Sequence, residues 1–411
     1  MKITTITAKL ILAFCLSFAI VRAQDKSPDR IAVTAKRMID VRTGKEITDA
    51  VILVEKNRIT GVGSNLRIPD SAQIIALGDV TLLPGLIDAH THLLHQYYSK
   101  YGDDNSNRIL EMTQLGPAKR AMLGVRLARE MLDAGFTSVR DLGNSSVNAD
   151  IALRDAINSN DVAGPRMFVS TRALSPVGGQ FQSVTPEAQH LLNQEYVQIS
   201  GTEEARRAVR QAIYDGADCI KVIVNSGSRR LSVEEIKVIV EEAKRANLPV
   251  AAHATDGDGP SMIAAEAGVS SIEHAYTISE TVLALMAKKN IFLVPTDAAG
   301  VAKYQERIKR ALKAGVRIAI GSDIYYEFSG MTRGQVSVGM YKTYLASGMT
   351  SIEILRAATI NPAELIGNNS IGSLEVGRFA DIIAVKGNPL TDISVLEGVV
   401  FVMKDGKVYK K

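Results

Sequence analysis

Between about Leu86 and Gly321, short apolar runs alternate with helical stretches, and this alternation limits the possible folds more than any other feature. The runs lie at residues 86–89, 137–141, 166–170, 219–224, 249–253, 271–274, 292–295 and 317–321. Strand-length runs separated by helices are the pattern of βα units in a parallel sheet. One such helix is predicted over residues 232–246, where Ser232 with Glu235 three positions on reads as a capping box. Eight units predict a closed (β/α)₈ barrel of the TIM type, with its working face at the C-terminal ends of the strands.

The flanks read differently. Residues 31–79 hold short strands and turns, among them Val51-Ile52-Leu53-Val54 and Arg58-Ile59-Thr60-Gly61-Val62-Gly63. Residues 377–411 repeat the style, with Asp381-Ile382-Ile383-Ala384-Val385, then Val399-Val400-Phe401-Val402 leading to Asp405-Gly406. Asp-Gly between β-prone runs signals a hairpin. The α/β chain is therefore expected to carry a small β-sandwich domain built from both termini, residues 24–83 and 371–411, around a barrel over 84–370.

The first residues have the layout of an export signal. Lys2 and Lys9 flank an apolar run from Leu10 to Ile20, and Ala23 supplies a small residue before a cut. The run is too short to span a bilayer well. Phe14 before Cys15 does not suit lipid attachment. A mature chain starting at Gln24 and lying outside the cytoplasm is expected, with no membrane attachment after cleavage. Cleavage removes Lys2, Lys9 and Arg22 and no acids, so the net charge of +4 falls to +1. Nothing in that balance calls for nucleic acid or an anionic membrane. Cys219 is then the remaining cysteine, so the core must stabilise the fold without an internal disulfide. The absence of Trp and an aromatic share of 5% argue against a carbohydrate-stacking surface.

The chemistry lies in the uneven placing of six histidines. His90 and His92 end the first run, in Pro84-Gly85-Leu86-Ile87-Asp88-Ala89-His90-Thr91-His92. Residues two apart in an extended chain point the same way, so both imidazoles can face one metal. His253 ends the fifth run, His274 ends the sixth, and Asp323 follows the eighth. One histidine at a strand end is more often incidental than a ligand. Four of them with an aspartate, all at one end of different strands, make a metal-binding pattern. Lys221 lies within the fourth run, where a charge is costly unless paired or modified.

On these residues, with Gly216-Ala217-Asp218-Cys219-Ile220-Lys221, Glu273-His274, Gly321-Ser322-Asp323 and the segment from Ile371 to Asp381, the chain resembles the amidohydrolase superfamily. The resemblance runs from about residue 30 to the end and is to imidazolonepropionase-related enzymes, including secreted metal-dependent dipeptidases. It implies two divalent metals, zinc being the first choice. It assigns His90, His92 and Asp323 to one metal and His253 and His274 to the other, with Lys221, carboxylated by CO₂, bridging both. Asp323 is implied as the catalytic residue that orients the attacking hydroxide, takes its proton and passes it to the leaving nitrogen.

Departures from the pattern concern the substrate. The stretch Asn225-Ser226-Gly227-Ser228-Arg229-Arg230 looks short for a dipeptidase loop, and Gln180 stands where some relatives carry histidine. Arg229 and Arg230 are expected either to clamp a substrate carboxylate or to be a solvated pair. His95, Tyr97 and Tyr98 follow the metal motif on a loop, open to substrate contact or to plain packing. His190 reads as surface, and Arg140-Asp141 as structural.

The expected activity is hydrolysis of a C–N amide bond in dipeptides or N-acyl amino acids, the substrate being a small molecule and the enzyme a homo-oligomer. The alternatives are a mononuclear deaminase or imidazolone hydrolase and a barrel that binds without catalysis. Lys221 speaks against the mononuclear types, as does Ala254-Thr255-Asp256 after His253, where deaminases tend to carry a glutamate. A binding protein would be expected to have lost ligands, and none is missing here.

Overall fold

The computed structural model describes residues 30–297 and 302–411. The expected export signal and the start at Gln24 lie outside the described residues. No described helix is long and apolar enough to cross a membrane.

Both ends of the chain enter one eight-stranded sheet. Arg30–Asp40 pairs antiparallel with Lys45–Glu55, which pairs with Arg58–Ser64. Gln73–Ala76 and Thr81–Pro84 run parallel to Arg30–Asp40. Thr81–Pro84 then meets Ile382–Val385, which carries Val399–Lys404 and Lys407–Lys410 beyond it. Alternation of apolar and polar residues along these strands buries Val33, Ile52, Leu82, Ile382, Phe401 and Met403 in a core of their own. The final hairpin turns where expected, with Asp405 and Gly406 at φ 51° and 74°. A side chain at position 406 would also strike the Lys56 carbonyl oxygen at 2.1 Å, so the turn needs glycine twice over.

The barrel strands are Leu86–Thr91, Phe136–Asp141, Arg166–Val169, Ile220–Ile223, Val250–Ala254, Ser271–His274 and Phe292–Val294. Parallel ladders join the first three and, separately, the last four. Two expectations need correction. The third unit is broken: after Val169 the chain kinks through Thr171 at φ 60° and resumes at Ala173–Ser175, where Leu174 pairs with Val222. The eighth, expected at 317–321, is an extended segment rather than a regular strand. It nonetheless closes the barrel, since Ala319 N–H donates to Leu293 O, Ala89 N–H to Ile320 O and Asp323 N–H to His90 O, at 2.8–3.0 Å. Gly321 permits this closure, because a Cβ there would lie 2.6 Å from that of His90. Together the two parts form a TIM barrel with a β-sandwich domain.

The helix over Val233–Arg245 starts at the expected capping box, with Ser232 Oγ accepting from Glu235 N–H and Glu235 from Ser232 N–H. Its inner face, with Ile236, Ile239 and Ala243, is buried with Val222 and Ile272 of the sheet. The helices thus hold the strands from outside, and the strand ends are free to present polar side chains to one cavity.

Candidate metal centre

All six expected ligands line that cavity. His90 and His92 come from the end of the first strand and just beyond it, Lys221 from the fourth, His253 from the fifth and His274 from the sixth. Asp323 follows the segment that closes the barrel. The side chains converge because each sits at or just past the C-terminal end of its strand.

Two imidazoles are fixed in the tautomer that metal binding requires. His90 Nδ1 lies 2.7 Å from Glu273 Oε2, and His92 Nδ1 lies 2.8 Å from the Gly143 carbonyl oxygen. Both partners can only accept, so the proton sits on Nδ1 and each Nε2 turns a lone pair inward. Those Nε2 atoms stand 3.6 and 3.2 Å from Asp323 Oδ1. Across the cavity the rings of His253 and His274 are 4.6 Å apart. His253 Nε2 lies 3.2 Å from the Gln180 amide nitrogen and 3.3 Å from Thr255 Oγ1.

Burial favours the neutral form of His90, His253 and His274. It pushes His253 down to about 3 and His90 and His274 well below the usual range, with the Lys221 charge adding to the effect on His90. Burial likewise draws Lys221 down to about 8, so a neutral amine is accessible near physiological pH. Burial works in the opposite direction on Asp323, but the nearby His90, His92 and Lys221 outweigh it and hold the carboxylate below its ordinary range. A buried set of neutral imidazoles around an ionised carboxylate has the donor chemistry of a divalent-metal site.

The backbone reports the same place. His274 and Asp323 both have positive φ, 67° and 52°, as do Ala275 and Thr296 beside them. Each such residue costs on the order of 1 kcal/mol, and surrounding structure must impose it. The tightest donor cluster is His90, His274 and Asp323, within 4.8 Å of one another. It crosses the division implied by the resemblance, because Asp323 stands between the two histidine pairs, its Oδ2 3.7 Å from His274 Nδ1.

Beneath the ligands lies a residue the sequence reading quoted but gave no role. Glu273 is fully buried and accepts from Arg140 Nη2 at 2.9 Å with one oxygen while holding His90 with the other. Arg140 also donates to Ala89 O and Ser271 Oγ. Arg140 and Asp141 are structural, as read, but they serve different partners: Asp141 accepts from Thr91 Oγ1 and Leu93 N–H. The signal for Glu273 was present, since an acid in a buried strand is as anomalous as Lys221.

The expected substrate residues divide. Gln180 lines the cavity, its oxygen accepting from Tyr196 O–H at 3.1 Å. Arg229 and Arg230 do not line it, which corrects the proposed clamp. They form a two-residue strand paired with Asn225–Ser226, and Arg229 donates to the carbonyls of Val177 and Phe181 and to Ser226 Oγ. Its guanidinium braces the turn that carries Gln180. Tyr97 also lies outside the lining, its hydroxyl given to Gly102 O and its ring set against Tyr326. His95 is buried against Glu111, and His190 is exposed, as read. The cation that does line the cavity is Arg108, together with Tyr196, Tyr276 and Tyr325. Arg108 gave no signal, because an Asp104–Arg108 spacing on a helix ordinarily marks a solvated pair.

A closed βα barrel with imidazoles, a lysine and an aspartate at its C-terminal mouth defines a metal-dependent hydrolase. The sequence matches the Amidohydrolase family over residues 81–409. It is 32% identical to ochratoxinase of Aspergillus niger across 89% of this chain and 84% of that protein. The chain belongs to the amidohydrolase family and is a hydrolase. It is also 25% identical to imidazolonepropionase of Fusobacterium nucleatum subsp. nucleatum, across 80% of this chain and 83% of that one. Among solved structures it is similar to a Xaa-Pro dipeptidase with bound methionine in the active site, with a TM-score of 0.81, 30% identity, and coverage of 93% of this chain and all of that chain.

Proposed function

We propose that this chain is a binuclear metal-dependent amidohydrolase that cleaves the amide bond of dipeptides or N-acyl amino acids. The observation that carries this reading is the convergence of six ligand-type side chains on one cavity, with Lys221 among them. A mononuclear site has no need of a lysine there. With its amine lowered to about 8, Lys221 can add to CO₂, forming an N–C bond and releasing a proton. Such a carbamate would replace a costly buried cation with a two-oxygen anion suited to holding divalent cations. His90, His92, His253, His274 and Asp323 complete the ligand set, and their nitrogen and oxygen donors favour zinc.

The metals, when bound, lower the pKa of water and polarise the scissile carbonyl. Asp323, ionised and central, accepts the proton of the attacking water and delivers it to the leaving nitrogen, so the C–N bond breaks without expelling an amide anion. Glu273 keeps the His90 ring aligned throughout. The dipeptidase relative with methionine in its active site supports an amino acid as one half of the substrate. Export of the mature enzyme, on the layout of residues 1–23, and assembly into a homo-oligomer belong to the same proposal.

The test is to load the protein with zinc, measure metal content, and screen dipeptides and N-acetyl-L-amino acids. About two metals per chain and metal-dependent amide turnover are expected. Turnover of imidazolones or lactones with none of amides would move the chain to another branch of the family. Full activity after complete chelation would end the metal reading.

A further inference from the structure

We infer that Arg108 is the specificity residue of this site, anchoring a free carboxylate on the substrate, and that Tyr196 and Gln180 set its position relative to the metal centre. The inference rests on the amide-hydrolase reading above and narrows it to substrates that carry an anionic group near the scissile bond.

Apart from the ligands Lys221 and Asp323, Arg108 is the charged side chain in the described cavity lining. Only 13% of it is exposed, so its charge is held where water is scarce. Exposed i,i+4 ion pairs contribute little to stability and do not require such burial, so the Asp104 partner by itself is a poor reason for the placement. Asp104 Oδ2 approaches Arg108 Nε at 3.0 Å, on one edge of the guanidinium. Nη1 donates to Tyr196 O–H at 3.1 Å, and Nη2 makes no hydrogen bond to the described residues. A guanidinium carries five N–H donors, so the end formed by Nη1 and Nη2 retains the parallel pair that a carboxylate accepts.

A continuous chain of contacts then links this anchor to His253, one of the side chains that would hold a metal. Tyr196 O–H donates to Gln180 Oε1 at 3.1 Å, and the Gln180 amide reaches His253 Nε2 at 3.2 Å. The buried Tyr196 ring packs edge-on against Phe181, and Arg229 holds the Phe181 and Val177 carbonyls on either side of Gln180. Arg108 is therefore positioned through Tyr196 and Gln180 from a metal ligand, as a specificity wall should be. In a dipeptide or N-acyl amino acid one carbon separates the scissile nitrogen from the carboxylate, so an anchor and a reaction centre sharing one cavity match that substrate class.

The experiment uses the zinc-loaded full-length protein and a panel of dipeptides and N-acetyl-L-amino acids, each as the free acid and as its C-terminal carboxamide. Wild-type kcat/KM should favour free acids by about 10- to 100-fold, the value of a charge-assisted contact. Arg108→Met should erase most of that preference through KM while metal content and thermal midpoint stay near wild type, and Arg108→Lys should restore part of it. Equal use of acids and carboxamides by the wild type, or an equal loss on both in Arg108→Met, would overturn the anchor and leave the hydrolase reading standing. If no amide is turned over, calorimetric binding of the same free acids decides: binding lost in Arg108→Met keeps the anchor and sinks the hydrolase reading, and unchanged or absent binding removes the anchor.

Discussion

The floor and the wall of the cavity are built in different ways. Floor residues sit on barrel strands, one step beyond them or, for Asp323, just after the segment that closes the barrel, and the histidines of the first strand are tied from behind, His90 by Glu273 and His92 by the Gly143 carbonyl. Wall residues come from segments between strands. Arg108 lies on the helix Asp104–Gln114, Gln180 on the turn after Ala173–Ser175, and Tyr196 at the start of a three-residue strand. These are linked to one another by single side-chain hydrogen bonds. Barrel hydrogen bonding therefore fixes the chemistry, while intervening segments set what is admitted. A family can keep the first and vary the second.

Removing a floor ligand should have the largest effect. His90→Ala should reduce metal content and lower kcat by about 10³-fold or more, since it takes away metal-assisted stabilisation worth several kcal/mol. Metal analysis and turnover at fixed zinc check this, and a variant with wild-type metal content would remove His90 from the floor. The next effect should come from below the ligands. Glu273→Gln leaves His90 in place but weakens its orientation, and should cost about 10- to 100-fold in metal affinity or activity. Competition with a chelator measures it; an unchanged zinc affinity and rate would show that the floor does not depend on its buried support.

The smallest effect should come from Arg229→Met, which sharpens the boundary of the wall. Because Arg229 is engaged with the Val177 and Phe181 carbonyls, its loss should lower the thermal midpoint by about 1–3 °C, as about 1–2 kcal/mol of hydrogen bonding does in a chain of this size, and leave the acid-to-carboxamide preference within about twofold. Loss of that preference in Arg229→Met would return the clamp to the position first expected from the sequence.

The floor was legible in advance for a definite reason. Strand ends are marked by apolar runs, and a polar residue closing such a run has few places to go, so His90, His253, His274 and Asp323 could be placed before any coordinates. The same logic located Lys221 and covers Glu273, which was quoted in its motif and left without a role. Of the wall, Gln180 was read as it stands, while Arg229, Arg230 and Tyr97 were misplaced because adjacency in sequence was taken for adjacency in space. Arg229 and Arg230 follow Lys221 by a few positions, yet they sit on a short hairpin from which Arg229 reaches the turn that carries Gln180. Arg108, more than a hundred positions from Lys221, enters the cavity instead.

The sequence by itself determined the barrel, the two-ended sheet domain and the gathering of histidines with Asp323 at one end of the strands, because hydrophobic periodicity and strand-end polarity are local properties of the chain. Only the tertiary structure decided that the third unit breaks at Thr171, that the eighth closes as an irregular segment, and which cation besides Lys221 lines the cavity. Those outcomes depend on which backbone groups and side chains find partners across the fold. A guanidinium goes where its donors are best satisfied, and for Arg229 that was a pair of carbonyls about fifty residues away in the chain.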